Sequence, residues 1–427
     1  MKNHLTKSLT RNSVSVLAIL AMGAGSAVAQ DTKTIQVAAH YTPEQAAPVL
    51  ECFTQYEAAN PGIKIEYQQA SYGDFLQTIL TSRVGGTSPD IYNIYSIWAP
   101  QLAAAGALDV PPADMIDFIT SGYSQATIDA ATIGGQLYGI PTELSVYDLI
   151  YNKKLLSEAG FSEPPKTWDE LKTIAAAITQ KNDQGNITVG GYAYGPSVAN
   201  AVHVFYAQMY AAGVKPYADD FRSTNLTSPE AVKILEQQSE LFAEGITSNS
   251  ITVTDFPTGA VGMAIMANWQ KSNFATAFGD EFENTVGVAS IPTDGPGGTM
   301  LYSFLWAVDS TSDVKPEAWA LLKWLNTAQT EGGLSCTGAM LAGMGALTGS
   351  SADLAAMGDS VSDFFTGPFV AEIESGKAVS QPNLYQAAEV DRILRSYIEQ
   401  AWAGAMSASD ALASADAEIQ AIMDEQP

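Results

Sequence analysis

Thr34-Ile35-Gln36-Val37-Ala38-Ala39, followed at once by Thr42-Pro43-Glu44-Gln45, decides how this chain folds. The first six residues place Ile35 and Val37 on one face, as a strand does. Thr42 as N-cap, Pro43 at the first helical position and Gln45 at the third form a capping box. Val49, Leu50, Phe53 and Tyr56 then share one helical face, and Asn60-Pro61-Gly62 stops that helix. Working outward, Ile63-Lys64-Ile65-Glu66-Tyr67 alternates again. A helix is expected over 72–83 with Phe75, Leu76, Ile79 and Leu80 inward, ended by Gly85-Gly86, and 89–94 reads as a third strand. Strand–helix–strand–helix–strand implies a parallel sheet covered by helices on both faces.

In such sheets ligands bind beyond the carboxyl ends of the strands. That rule selects three loops: His40-Tyr41-Thr42, Ser71-Tyr72 and Tyr95-Ser96-Ile97-Trp98. Each joins aromatic to hydroxyl side chains and none is basic.

Further along, 143–151 is apolar enough for a long strand, and Asn152 opens a helix that Pro164-Pro165 breaks. Thr167-Trp168-Asp169-Glu170 is a second capping box. Helices are expected over 198–212, from Ser228-Pro229 to Ala243, over 317–326, and from Gln386 to the end. Strands are expected over 261–266, ending at Asn268-Trp269, over 286–289 and over 301–308. The glycine-rich stretch 332–350 reads as loop.

Composition narrows the function. The 427 residues suit two or three domains, and the net charge is −26. So acidic a chain, with no basic cluster, fits neither nucleic acid nor an anionic membrane surface. Outside the first 30 residues the imidazoles are His40 and His203, too few for most zinc centres, and Cys52 and Cys336 form no CxxC, so no metal or cofactor is expected. Residues 1–30 read as a secretory signal peptide. It has a basic start, a short apolar core over 14–22, and a small-x-small site placing cleavage near Ala29. Export allows Cys52 and Cys336 to pair; two buried thiols are the other reading, and the sequence leaves both open.

Four stretches together resemble one family. The first joins Phe53 and Asn60-Pro61-Gly62-Ile63-Lys64 to Ser88-Pro89-Asp90-Ile91, Trp98 and Gly106-Ala107-Leu108. The most specific runs Gly135-Gln136-Leu137-Tyr138-Gly139-Ile140-Pro141, through Tyr151-Asn152-Lys153 and Glu158-Ala159-Gly160, to Pro165-Lys166-Thr167-Trp168-Asp169-Glu170-Leu171. The others are Phe256-Pro257-Thr258-Gly259-Ala260-Val261-Gly262-Met263 with Trp269, and Ala318-Trp319 to Leu325 with the helical tail at Ala411-Leu412. They resemble the extracellular solute-binding proteins of ABC importers, the sugar-type group similar to maltose-binding protein. The resemblance implies an α/β, two-lobed periplasmic-binding-protein-like fold, each lobe a mainly parallel sheet flanked by helices, with a hinge between them. It assigns 31–143 and 291–348 to lobe 1, and 144–290 and 349–427 to lobe 2. It further implies a periplasmic monomer that captures a carbohydrate or polyol between the lobes and delivers it to a membrane permease, without chemistry.

Sugar rings offer apolar faces to aromatic side chains and hydroxyl rims to carboxylates and amides. On that ground Trp269 is the first candidate, at the position of the family's stacking tryptophan. His40, Tyr41, Ser71, Ser96 and Trp98 are candidates from the lobe 1 loops, and Glu143 and Ser145 from the first crossing. Tyr194, Ser197 and Asn200 open a lobe 2 helix, Trp306 faces the cleft or supports the hinge, and Tyr385 supplies an aromatic from the tail. Asn93-Ile94 stands where the maltose-binding pattern carries an aromatic, which speaks against maltose itself. The rival class is a secreted glycoside hydrolase using a carboxylate pair. No G-x-S-x-G, Walker A or G-x-G-x-x-G motif supports another enzyme. The same scaffold also suits a polyamine or other non-sugar solute; for an anionic one Lys153, Lys271 and Arg222 are the bases the sequence offers.

Overall fold

The computed structural model describes residues 32–327, 330–381 and 383–425; the signal peptide and its cleavage site lie outside them. Strands β1 (Lys33–Ala39), β2 (Ile63–Gln69) and β3 (Ile91–Tyr95) are joined by the helices Ala47–Ala59 and Phe75–Gly85. Each helix carries the chain back, so β1 pairs parallel with both neighbours, Val37 opposite Tyr67 and Ile91. The box at Thr42 closes as read, Thr42 N donating to Gln45 Oε1 at 2.9 Å and Gln45 N to Thr42 Oγ1 at 3.3 Å. It secures a turn, however, and the helix proper starts at Ala47.

The remaining principal strands are β4 (Ile140–Asn152), β5 (Ile187–Tyr192), β6 (Val261–Ala267), β7 (Val286–Ala289) and β8 (Thr299–Val308). The sheet runs β2-β1-β3-β8-β4-β6-β5. β4 is its shared member. Ile140 to Val146 pair antiparallel with β8, then Tyr147 to Tyr151 pair antiparallel with β6. The chain thus passes from one half of the sheet to the other within a single strand. In the second half β5 and β6 are parallel while β4, β6 and β7 meet antiparallel.

Three side chains repair the ladder where partners change. Asn268, fully buried just after β6, accepts from Val146 N at 2.7 Å and donates to Leu144 O at 3.2 Å. Ser303 Oγ donates to Glu143 O at 2.9 Å beside a bulge in β8, and Thr299 Oγ1 to Tyr147 O at 2.5 Å. Buried backbone polar groups need such partners. Side chains along β4 alternate as a pleated strand requires. Leu144, Val146 and Ile150 enter one core cluster with Phe256, Phe365 and Phe369, whereas Tyr147 and Leu149 enter the other.

The stretch read as loop over 332–350 contains a helix, Cys336–Met344, which corrects that expectation. Its support is tertiary. Ser335 caps it, accepting from Gly338 N, and Asp353 takes the Ser335 N–H and hydroxyl at 2.7 Å each. A Cβ on Gly338 would lie 2.4 Å from Asp353 Cγ, so the close approach requires glycine there. Cys52 and Cys336 form a disulfide between this helix and Ala47–Ala59, closing the question the sequence left open.

Candidate ligand cleft

Where the sheet changes halves, a cleft of about 760 Å³ opens. Its size is that of a small-molecule site. The strand ends build its first wall. His40 and Tyr41 follow β1, Tyr72 follows β2, and Tyr95 ends β3 with Trp98 one turn on. β8 adds Tyr302 and Phe304, because Phe304 pairs with Tyr95 at the strand end.

These rings pack into one aromatic surface. Tyr95 and Phe304 stack at 5.2 Å, His40 and Phe304 at 4.6 Å, and Tyr72 meets Trp98 at 5.4 Å. Opposite stand the start of the helix Val198–Ala211, Trp269 on the turn after β6, and Asp391, Arg392 and Arg395 on the helix Ala387–Trp402. Met344 and Ala346 close the side.

Glu143 is the carboxylate of the crossing strand that lines the cleft. Tyr41 donates to its Oε2 at 3.0 Å and Ser145 to its Oε1 at 2.9 Å. Burial pushes its pKa up, and those two donors oppose the rise. Burial likewise pushes the Tyr41 hydroxyl up, with the Glu143 charge adding to the effect, so Tyr41 stays a neutral donor. His40 is pushed down to about 4 by burial and is neutral at physiological pH; its Nδ1 meets no hydrogen-bond partner in the protein.

Deeper in, His203 lies between two tyrosines, Nδ1 at 3.0 Å from the Tyr147 hydroxyl and Nε2 at 3.3 Å from that of Tyr95. Tyr95 also donates to Gln381 Oε1 at 2.6 Å. Gln381 donates to Asp391 Oδ2 at 3.1 Å, and Tyr206 donates to Asp391 Oδ1 at 3.2 Å. The floor is therefore a hydrogen-bonded chain running between the two halves.

Of the sequence candidates, His40, Tyr41, Trp98, Glu143, Ser197 and Trp269 lie on the lining. The others sit nearby or elsewhere. Ser71 is exposed at the turn before Tyr72, Ser96 is buried beneath Trp98, and Ser145 supports Glu143 from below. Tyr194 packs on Trp402 at 4.7 Å and on Phe242, away from the cleft. Asn200 donates its N–H to the Ser197 cap, and Tyr385 lies outside the lining. Trp306 is buried level with Asn93, two residues back from the strand end that carries Phe304. Asn93 donates to Thr142 Oγ1 within the sheet, and Tyr95 supplies the aromatic expected two positions earlier. Lys153 reaches Glu283 O, Lys271 pairs with Asp363 at 2.5 Å, and Arg222 is not on the lining. The bases that do face the cleft, Arg392 and Arg395, went unread, as did Tyr302, Phe304 and Asp391. Among the described residues no three His, Cys, Asp or Glu gather to hold a metal ion, and no helix is long and apolar enough to cross a membrane.

Comparison with known proteins agrees with this architecture. A binding protein of Brucella abortus (strain 2308) is 27% identical over 319 residues, 72% of this chain and 75% of its own. A diacetylchitobiose-binding protein of Streptomyces coelicolor is 26% identical over 300 residues, 64% of each chain. Among solved structures, an ABC transporter solute-binding protein of Thermotoga lettingae bound to α-D-tagatose superposes with a TM-score of 0.78. It is 21% identical, and the match covers 92% of this chain and all of that one. The bacterial extracellular solute-binding protein family matches residues 39–331, most of the chain, and the protein belongs to that family.

Proposed function

We propose that this protein is the periplasmic capture component of an ABC importer and that its ligand is a carbohydrate or polyol, bound without turnover. The observation that carries this reading is the cleft's composition. Aromatic faces at Tyr72, Trp98 and Phe304 stand on one side and Trp269 on the other, with the Glu143 carboxylate and the His40 imidazole between. Aromatic faces suit the C–H faces of sugar rings, and the polar atoms suit hydroxyls. The relatives that bind diacetylchitobiose and tagatose support the same class of ligand.

The lobes of this reading are 31–143 with 291–348, and 144–290 with 349–427, hinged where β4 and β8 cross. A ligand touching both walls binds the closed form better and shifts the population toward it. The closed form is what a permease would recognise. Two supports favour a binder over a glycosidase. Glu143 is held by Tyr41 and Ser145, and Asp391 by Tyr206 and Gln381, so both cleft carboxylates already accept hydrogen bonds within the protein.

A thermal-shift screen of mature protein against sugars, polyols, polyamines and amino acids tests the reading, because a ligand specific to the native state raises the melting point. A sugar or polyol is expected to do so and to be recovered unaltered. Stabilisation by polyamines alone, or turnover of a glycoside, would overturn it.

A further inference from the structure

One wall of the cleft in this acidic chain carries two arginines. Outside the first 30 residues the arginines are Arg83, Arg222, Arg392 and Arg395, and the last two share one wall of the cleft. They stand one turn apart on the helix Ala387–Trp402, so both side chains leave the same face. Arg395 Nη1 donates to Pro196 O at 3.4 Å. That contact draws its guanidinium to the start of the helix Val198–Ala211, where Ser197, Val198 and Ala199 line the same wall. Its buried Nε forms an ion pair with Glu399 Oε1 at 3.5 Å, one turn further along the helix.

Arg392 gives Nε and Nη2 to the two oxygens of Glu389, at 2.7 and 2.6 Å. A guanidinium has five N–H donors, so Nη1 remains for the cleft. The carboxylates on the lining do not compete for these donors. Glu143 is engaged by Tyr41 and Ser145, and Asp391 by Tyr206 and Gln381.

Each guanidinium pairs with one glutamate of its own helix and keeps N–H donors beyond it for a ligand. Arginine's planar fork matches the paired oxygens of a carboxylate or a sulfate. We propose that the captured solute is an acidic saccharide, its carboxylate or sulfate held between Arg392 and Arg395 while its rings lie against Trp269 and the facing aromatics. This proposal rests on the carbohydrate reading above and adds the charge of the ligand.

The test is titration calorimetry with three sets of oligosaccharides: neutral, uronate-containing and sulfated, each at low and high salt. Wild-type protein is expected to bind a charged member, more weakly at high salt, and the uronate and sulfate sets separate the two sources of charge. Arg395→Ala and Arg392→Ala should each weaken that binding by about tenfold or more, as loss of a charge-assisted hydrogen bond does. Their melting points should stay near wild type, Arg392 being exposed on its helix. Tight binding of a neutral saccharide that both variants retain would overturn the proposal while leaving the carbohydrate reading intact, as would binding of no charged member. Capture of a polyamine or amino acid in place of any saccharide would overturn the reading beneath it.

Discussion

The Tyr41 hydroxyl, on the loop after β1, donates to Glu143 Oε2 on the crossing strand at 3.0 Å, and both groups are buried. That bond ties the edge of the first wall to the strand on which the two halves meet. Tyr41→Phe removes it and leaves Glu143 with Ser145 alone. The expected loss of stability is about 1–3 kcal/mol, read by urea denaturation. Glu143→Gln in the same background should then cost little more, since the two changes share one interaction. Additive losses would show that the pair is not coupled.

Asn268→Ala leaves Val146 N–H and Leu144 C=O unpaired where β4 changes partners. A loss of about 2–3 kcal/mol is expected for two buried backbone groups. Because these groups sit where β4 changes partners, hydrogen exchange of Val146 should accelerate more than that of Ile35, which lies far from the crossing. Uniform acceleration would mean that Asn268 supports the fold generally and not the crossing.

Trp269→Ala should abolish most ligand binding with the melting point nearly kept, since Trp269 is only partly buried on the lining. Unchanged affinity in this variant would remove Trp269 from the site.

The disulfide spans 284 residues of sequence. On the chain-entropy model a loop of that length is worth about 6 kcal/mol, so Cys52→Ala/Cys336→Ala should melt well below the oxidised protein. The helix Cys336–Met344 should then be the first segment to lose protection, and with it the cleft wall at Met344. A melting point equal to wild type would show that Asp353 and Ser335 hold that helix unaided.

Stability should fall in two steps on acidification. His40 has its folded pKa lowered to about 4 by burial. The unfolded chain therefore binds the extra proton first, and stability is lost as pH drops from the unfolded value near 6.5 to about 4. His40→Gln should flatten that step. Asp309 acts in the same sense but at lower pH. Burial tends to raise its pKa, but bonds from Thr311, Tyr92 and Arg83 outweigh it and hold the carboxyl below the usual range. The stability it contributes is present above its unfolded value and is lost only as pH falls through the lower folded value. Asp309→Asn should therefore affect the profile at the acid end. One unbroken slope from neutrality, unchanged in either variant, would contradict both assignments.

The N-terminal sheet was legible because its cues are local: Ile35 and Val37 alternate, and Gly86, at φ 66°, stops its helix as a left-handed residue does. The aromatic loops were legible for a similar reason, since parallel strands fix which ends face a ligand. The helix Cys336–Met344 was not, because its glycines hide it and its support comes from Cys52 and Asp353, distant in sequence. Tyr302, Phe304 and the two arginines also escaped. β8 returns antiparallel beside β3, and only that pairing shows that Phe304, level with Tyr95, reaches the cleft while Trp306 stays inside the sheet. Arg392 and Arg395 read in sequence as the polar face of an amphipathic helix; the packing of that helix on Val198–Ala211 places them on the cleft lining.

Small-angle scattering, with and without a saccharide chosen by thermal shift, tests the central claim most directly. Closure of two lobes around a captured sugar predicts a smaller radius of gyration in the complex, and no such contraction in Trp269→Ala at the same saccharide concentration. The same envelope with and without a saccharide that demonstrably binds would contradict a hinged capture protein.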